Sequence, residues 1–212
     1  ENKEFIELDE MVASSGPDAA IDECEIIDHK RITNTYTDLR AQYKGNATVT
    51  RTMRYVDTSE SVLVDQNVMT TSVFDARGNA LDQVSETSVY DSSIEKLVLI
   101  TRNVMENREF SNNGDAGLQK VTSYQIEYQK DSNGNYLVGA DGNYVFKEDV
   151  MISHQVMTNR VYDSQHNILN QNTLTYSDDS EQDLLEVQEI RSSGYTTSGV
   201  ARQQIILSFT DL

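Results

Sequence analysis

The 212-residue chain sets 17 Lys and Arg against 35 Asp and Glu, a formal net charge of −18, and its hydrophobic share is 37%. That charge repels a phosphate backbone and excludes a nucleic-acid binder held by counterion release. The hydrophobic share falls below the roughly 45–50% of an ordinary domain, so the core is thin for this length. No apolar run approaches the roughly 18 residues of a membrane span. One Cys, Cys24, can neither close an internal disulfide nor build a thiolate metal site. The chain opens at Glu1 with no signal-peptide pattern, as expected of a processed chain or a piece of a longer one.

In chain order, the first feature is a weak echo of the last. Ile6 to Met11 (IELDEM), Ser14 to Gly16 (SSG) and Cys24 to Ile27 (CEII) match Leu185 to Ile190 (LEVQEI), Ser192 to Gly194 (SSG) and Gln203 to Ile206 (QQII). A poorer copy over Ile26 to Tyr36 is anchored at Ile32. Asn46-Ala47-Thr48 then forms an acceptor sequence for N-glycosylation, relevant only in a glycosylating cell.

Three strong copies follow, beginning at Val68-Met69 (VMTTSVFDARGNALDQ), Val104-Met105 (VMENREFSNNGDAGLQ) and Val156-Met157 (VMTNRVYDSQHNILNQ). In each an aromatic stands six residues after the Val (Phe74, Phe110, Tyr162), before a polar turn and a Leu with a nearby Gln (Gln83, Gln119, Gln171). A further anchor at Ile190 completes the series, so the units stand near 11, 32, 68, 104, 156 and 190. A period near 35 residues makes residues 1–212 one repeat-built domain. The longer gap between 104 and 156 is one unit with an extra hairpin at 131–147, where two Asn/Asp-Gly turn signals flank a Tyr-Leu-Val run.

The segments between turns are rich in Val, Ile, Thr, Tyr and Leu and lack a 3.6-residue period, which predicts strand, turn, strand throughout and little or no helix. Leu118, Lys120, Thr122, Tyr124, Ile126 and Tyr128 alternate against Gln119, Val121, Ser123, Gln125 and Glu127, as a half-buried antiparallel strand does. Leu97 to Phe110 and Val150 to Tyr162 are long strands, spanning on the order of 45 Å. The fold class is all-β, an antiparallel meander of tandem hairpins. Apolar residues on both faces of Leu97 to Phe110 predict a sheet folded over itself, or one covered by a neighbouring repeat or subunit.

The turns after Phe74 and Tyr162, Asp75-Ala-Arg-Gly78-Asn79 and Asp163-Ser-Gln-His166-Asn167, resemble the Tyr-Asp-x-x-Gly-Asn-x-Leu signature of YD-repeat proteins, the RHS and teneurin-like group. The resemblance covers only these turns. His166 replaces the Gly, and Ser111 replaces the Asp in the Phe110 copy. It implies extracellular β-rich repeats that serve as shells, adhesins or surface fibres.

No catalytic constellation stands out. His29, His154 and His166 lack metal-ligand spacing and read as strand or turn residues. There is no Gly-x-Ser-x-Gly and no phosphate loop. Asp178-Asp179 lies in a solvated turn rather than a glycosidase pair. Calcium is the one specific cofactor candidate: Asp131, Asn133 and Asn135 open like a calcium loop, with Asp141 and Asn143 close behind. Tyr136 and Gly142 then occupy the positions where an EF-hand needs Gly and Glu, which favours plain hairpin turns. The expectation is a non-catalytic extracellular or cell-surface protein that self-associates into a filament, sheath or surface layer. The final strand, Val200 to Phe209, is apolar and invites pairing with another chain. The alternative is a monomeric secreted module whose sheet face or inserted hairpin binds a glycan, a divalent ion or a surface protein.

Overall fold

A computed structural model describes residues 29–210. They form one ten-stranded antiparallel sheet in strict sequential order. The strands are β1 (His29–Thr35), β2 (Val49–Tyr55), β3 (Leu63–Phe74), β4 (Ala80–Asp91), β5 (Lys96–Phe110), β6 (Ala116–Tyr128), β7 (Phe146–Tyr162), β8 (Ile168–Tyr176), β9 (Leu184–Tyr195) and β10 (Ala201–Phe209). Ile32, Val68, Val104, Val156 and Ile190 all stand on odd-numbered strands, so each unit is an odd strand, a turn and an even strand. The anchor at Met11 and the echo over Ile6 to Ile27 lie outside the described residues.

The predicted meander is present, but the sheet is not folded over itself. Every substantial contact between elements joins sheet neighbours, and β1 and β10 are the two edges of the described sheet. The result is a single layer. Among the described residues no large side chain is fully buried, and only Tyr55, Ile126 and Val156 are buried hydrophobics. Apolar residues on both faces are shielded sideways, by neighbours on adjacent strands, instead of by a second layer.

Two kinds of turn alternate along the meander. Those leading from odd to even strands are the motif turns at 75–79, 111–115, 163–167 and 196–200. In each, the first residue donates its N–H to the carbonyl of the fifth and the fourth donates back to the first. The fourth residue takes a positive φ: Gly78 100°, Gly114 90°, His166 65° and Gly199 78°. This is a three-residue hairpin loop closed by a left-handed residue, and it explains why Gly stands at that position in three of the four. The side chain of the first residue caps the loop. Asp75 Oδ1 accepts N–H bonds from Arg77 and Asn79 at 2.8 and 2.9 Å, Asp163 Oδ1 from Gln165 and Asn167 at the same distances. Ser111 Oγ does the same at 3.2 and 3.1 Å, and Thr196 Oγ1 accepts from Val200. The copy at 196–200, preceded by Tyr195, escapes the sequence pattern because Thr and Val stand where Asp and Asn do elsewhere.

Turns from even to odd strands have their own device. Asp57, Asp91 and Asp178 each accept the N–H and the hydroxyl of the Ser two residues on. Glu60, Glu95 and Glu181 then take positive φ. The connection from β1 to β2 holds a short helix that the β pattern conceals, α1 (Leu39–Lys44), capped by Asp38 Oδ1 on Ala41 N–H at 2.8 Å and by Gly45 at φ 75°.

Two of the three repeated Gln residues, with Gln204 beside them, share one role, while Gln171 instead bonds Thr173 and accepts from Arg160. Gln83 donates to Thr71 Oγ1, Gln119 to Asn107 Oδ1 and Gln204 to Ser192 Oγ, each reaching back 12 residues across its own hairpin. Thr71, Asn107 and Ser192 are buried despite the open sheet. Asn107 also donates to Gln83 Oε1 at 3.2 Å, which joins two hairpins into one chain of side-chain amides across β3 to β6.

Candidate functional site

The insertion between β6 and β7 is the largest departure from the repeat. It is two tandem hairpins instead of one, with turns at 131–135 and 139–143 and single bridges at Lys130–Tyr136 and Val138–Tyr144. The five calcium candidates separate here into Asp131, Asn133 and Asn135 in the first turn and Asp141 and Asn143 in the second. Asp131 Oδ1 accepts N–H bonds from Asn133 and Asn135 at 2.8 and 2.9 Å. Asp141 accepts from the Asn143 backbone and amide at 3.0 and 2.6 Å. Gly134 and Gly142 hold φ of 86° and 74°. The first turn has the geometry of the Asp75 and Asp163 turns, whereas the second opens with Gly139 and its Asp141, at the third position, bonds only Asn143. The backbone N–H of Asn135 and that of Asn143 hold the two carboxyls below the usual carboxylate range. Among the described residues, no three His, Cys, Asp or Glu gather in a way that could hold a metal ion.

What the insertion does build is a tyrosine cluster. Tyr128 at the end of β6 meets Tyr136 edge-on at 6.3 Å and Tyr144 at 5.8 Å, and Tyr136 and Tyr144 lie 4.9 Å apart. Two of the three hydroxyls are tied down. Tyr128 donates to the Leu99 carbonyl at 2.7 Å and Tyr144 to Asp91 Oδ2 at 2.8 Å. Burial pushes the Tyr128 phenol up, and the hydrogen bond from Ser93 leads those that hold Asp91 down. Lys96 Nζ donates to the Asp141 carbonyl, so the second turn is fastened back towards the start of β5. Between insertion and sheet lies an open groove of about 400 Å³, lined by Val89, Val98, Ile100 and Ile126 with the three tyrosines. Lys130 Nζ lies 4.8 Å from the Tyr136 ring centre.

Each histidine is paired with an acid, which spacing in the sequence could not show. His29 Nε2 lies 3.1 Å from Glu60 Oε1, and His166 Nδ1 lies 2.6 Å from Asp115 Oδ1. His154, buried in β7, sits 2.8 Å from Thr122 Oγ1 and 3.4 Å from Glu181, which Lys120 also contacts. The hairpins repeat one arrangement here: His29 faces Tyr55 across β1 and β2, His154 faces Tyr176 across β7 and β8, and each His reaches the Glu of the turn that follows.

The two sheet edges differ in chemistry. β1 is polar, with Lys30, Arg31, Thr33 and Asn34 exposed around a single Ile32. β10 is apolar, with Ile205, Ile206, Leu207 and Phe209 all exposed and pairing on the β9 side only. No family model matches this chain, and no curated protein sequence matches it either.

Proposed function

We propose that this chain is a non-catalytic structural or adhesive repeat protein of the cell surface or extracellular space, assembled by strand pairing between copies. One observation carries the reading: an open single-layer sheet with an apolar edge. Ile205 is 48% and Leu207 44% exposed on β10, with no charge or proline among Gln203 to Phe209. Long edge strands are blunted in monomeric proteins by Lys, Pro or bulges, because their free N–H and C=O groups template pairing. β1 carries such blunting residues along its length, whereas β10 carries one charge, Arg202, at its start and none from Gln203 to Phe209. Head-to-tail pairing of β10 with another copy continues the sheet and does not close, so it generates a filament. The resemblance of the turns to YD repeats supports the same class of function.

The test is sedimentation of the full chain over a concentration series, with electron microscopy of the concentrated material. The expected result is growth in mass with concentration and linear particles, both abolished by the double substitution Ile205→Lys and Leu207→Lys, which charges the edge. Growth unchanged in that variant overturns the reading. So does a monomer at every concentration, which transfers attention to the tyrosine groove as the working surface of a binding module.

A further inference from the structure

The repeated Val-Met pair divides the sheet. Adjacent residues of a strand face opposite ways, and residues paired across strands share a face. Val84, Val104 and Thr122 are paired in a row on one face, joined there by Val68 and Val156. The same face carries the ion pairs Arg102 with Glu86 and Asp149, Arg108 with Asp82, and Lys120 with Glu181. Met69, Met105 and Met157 point to the other face. There the central positions of β3 to β8 hold Asn, Gln, Ser, Thr, Met and one Val, and no Asp, Glu, Lys or Arg. On β5, for example, the run is Thr101, Asn103, Met105 and Asn107. Charges return only at the margins, as in Arg54–Asp65, Lys147–Glu127 and Arg160.

We infer that this uncharged face is a contact surface for the same face of a second copy. A solvated face in a chain with 35 acidic residues has no reason to keep every one of them out of its centre. Loss of charge with retention of Met is instead the signature of an interface centre. The polar groups are also prepared for covering. Gln83 bonds Thr71, Asn107 bonds Gln83, Gln119 bonds Asn107, and Asn67 bonds Ser85 at 2.8 Å. Side chains already satisfied by one another lose little when water leaves.

Charge selects the occupant. Two chains of −18 each repel everywhere except where a contact excludes charge, and a charged partner finds no counter-charge at the centre of this face, whereas the opposite face offers both signs. Six strands about 4.8 Å apart and about seven residues long at 3.3 Å give a footprint on the order of 650 Å². That approaches the roughly 800 Å² that each partner of a standard interface buries. The surface lies apart from the β10 edge, so the inference stands whether or not edge pairing occurs.

The experiment isolates the face by working in the full chain already carrying Ile205→Lys and Leu207→Lys, with sedimentation equilibrium at physiological salt. That background is expected to form a dimer. Adding Met105→Glu and Met157→Glu should weaken the dissociation constant by about 100-fold or more through like-charge repulsion. Glu106→Lys on the opposite face should leave it unchanged. Should circular dichroism show the Met variants unfolded, Ser123→Lys on the same face repeats the test with a smaller change. A monomer in the edge-blocked background overturns the inference, as does a dimer indifferent to the face variants. Co-sedimentation with microcrystalline cellulose in place of dimerisation also overturns it, by assigning the face to a neutral polysaccharide.

Discussion

On one face of the sheet, Arg102 binds Glu86 and Asp149 across four strands, β4 to β7; on the other, Thr71, Gln83, Asn107 and Gln119 are linked by hydrogen bonds between uncharged side chains. The two faces belong to the same strands and the same repeats, yet they are held by different chemistry. A single layer has no interior in which apolar area can accumulate, so side chains must fasten neighbouring strands laterally. Charged pairs do this in solvent on a face that remains wet. Amide chains do it without charge on a face that can be covered.

Asn107 is where this contrast breaks most severely. It is buried, donates to the Ala80 carbonyl and Gln83, and accepts from Gln119 at 2.8 Å. Asn107→Leu leaves two glutamines and a carbonyl without their partner, and should cost about 2–3 kcal/mol. Urea unfolding would show a lower midpoint at unchanged slope. Because no net charge is involved, 1 M salt should leave that loss unaltered; a loss that shrinks with salt would refute the uncharged character of the network.

Arg102→Met breaks the other face. Its side chain is 31% exposed and its removal leaves Glu86 and Asp149 facing each other without a cation. Partial exposure reduces the cost of a buried pair to about 1–2 kcal/mol. High salt should remove much of this loss by screening. Equal salt responses in the Arg102 and Asn107 variants would show that the faces are not held differently.

Much of this architecture is legible in the sequence. Val68, Val104, Val156 and Ile190 fix the period, and Asp-x-x-Gly-Asn fixes the turn, since only a residue tolerant of positive φ fits its fourth place. Three things are hidden. The layer is single, because the mixed apolar pattern of β5 suits lateral shielding as well as a second sheet. The two faces are sorted by charge, which emerges only once register assigns each residue a side. The tyrosine cluster joins residues from β6 and two tandem turns, and neither Tyr136 nor Tyr144 differs in sequence from a tyrosine packed across a strand pair.

The smallest effect belongs to the turns, where charged and neutral devices are set side by side in one fold. Asp75 and Asp163 cap their loops as carboxylates, whereas Ser111 and Thr196 cap theirs as hydroxyls. Hydrogen bonds from the Asn four residues on, Asn79 or Asn167, are the leading cause that holds each carboxyl below its usual 3.8. A lowered folded value means that the unfolded chain takes up a proton first as the medium is acidified. The stabilisation is therefore complete above about pH 5, begins to fade near the unfolded value of about 4 and disappears as pH falls through the lowered folded value. Hydroxyl caps have no such window. Hydrogen-exchange protection of the Asn79 and Asn167 amides should drop between pH 5 and about pH 2 by more than that of Val200, which closes the Thr196-capped loop and has no acid in its cap. Asp75→Asn should bring the first hairpin into line with the hydroxyl-capped ones. Equal acid responses in the Asp75, Asp163 and Thr196 loops would mean that the backbone closes them unaided and the capping charge adds nothing.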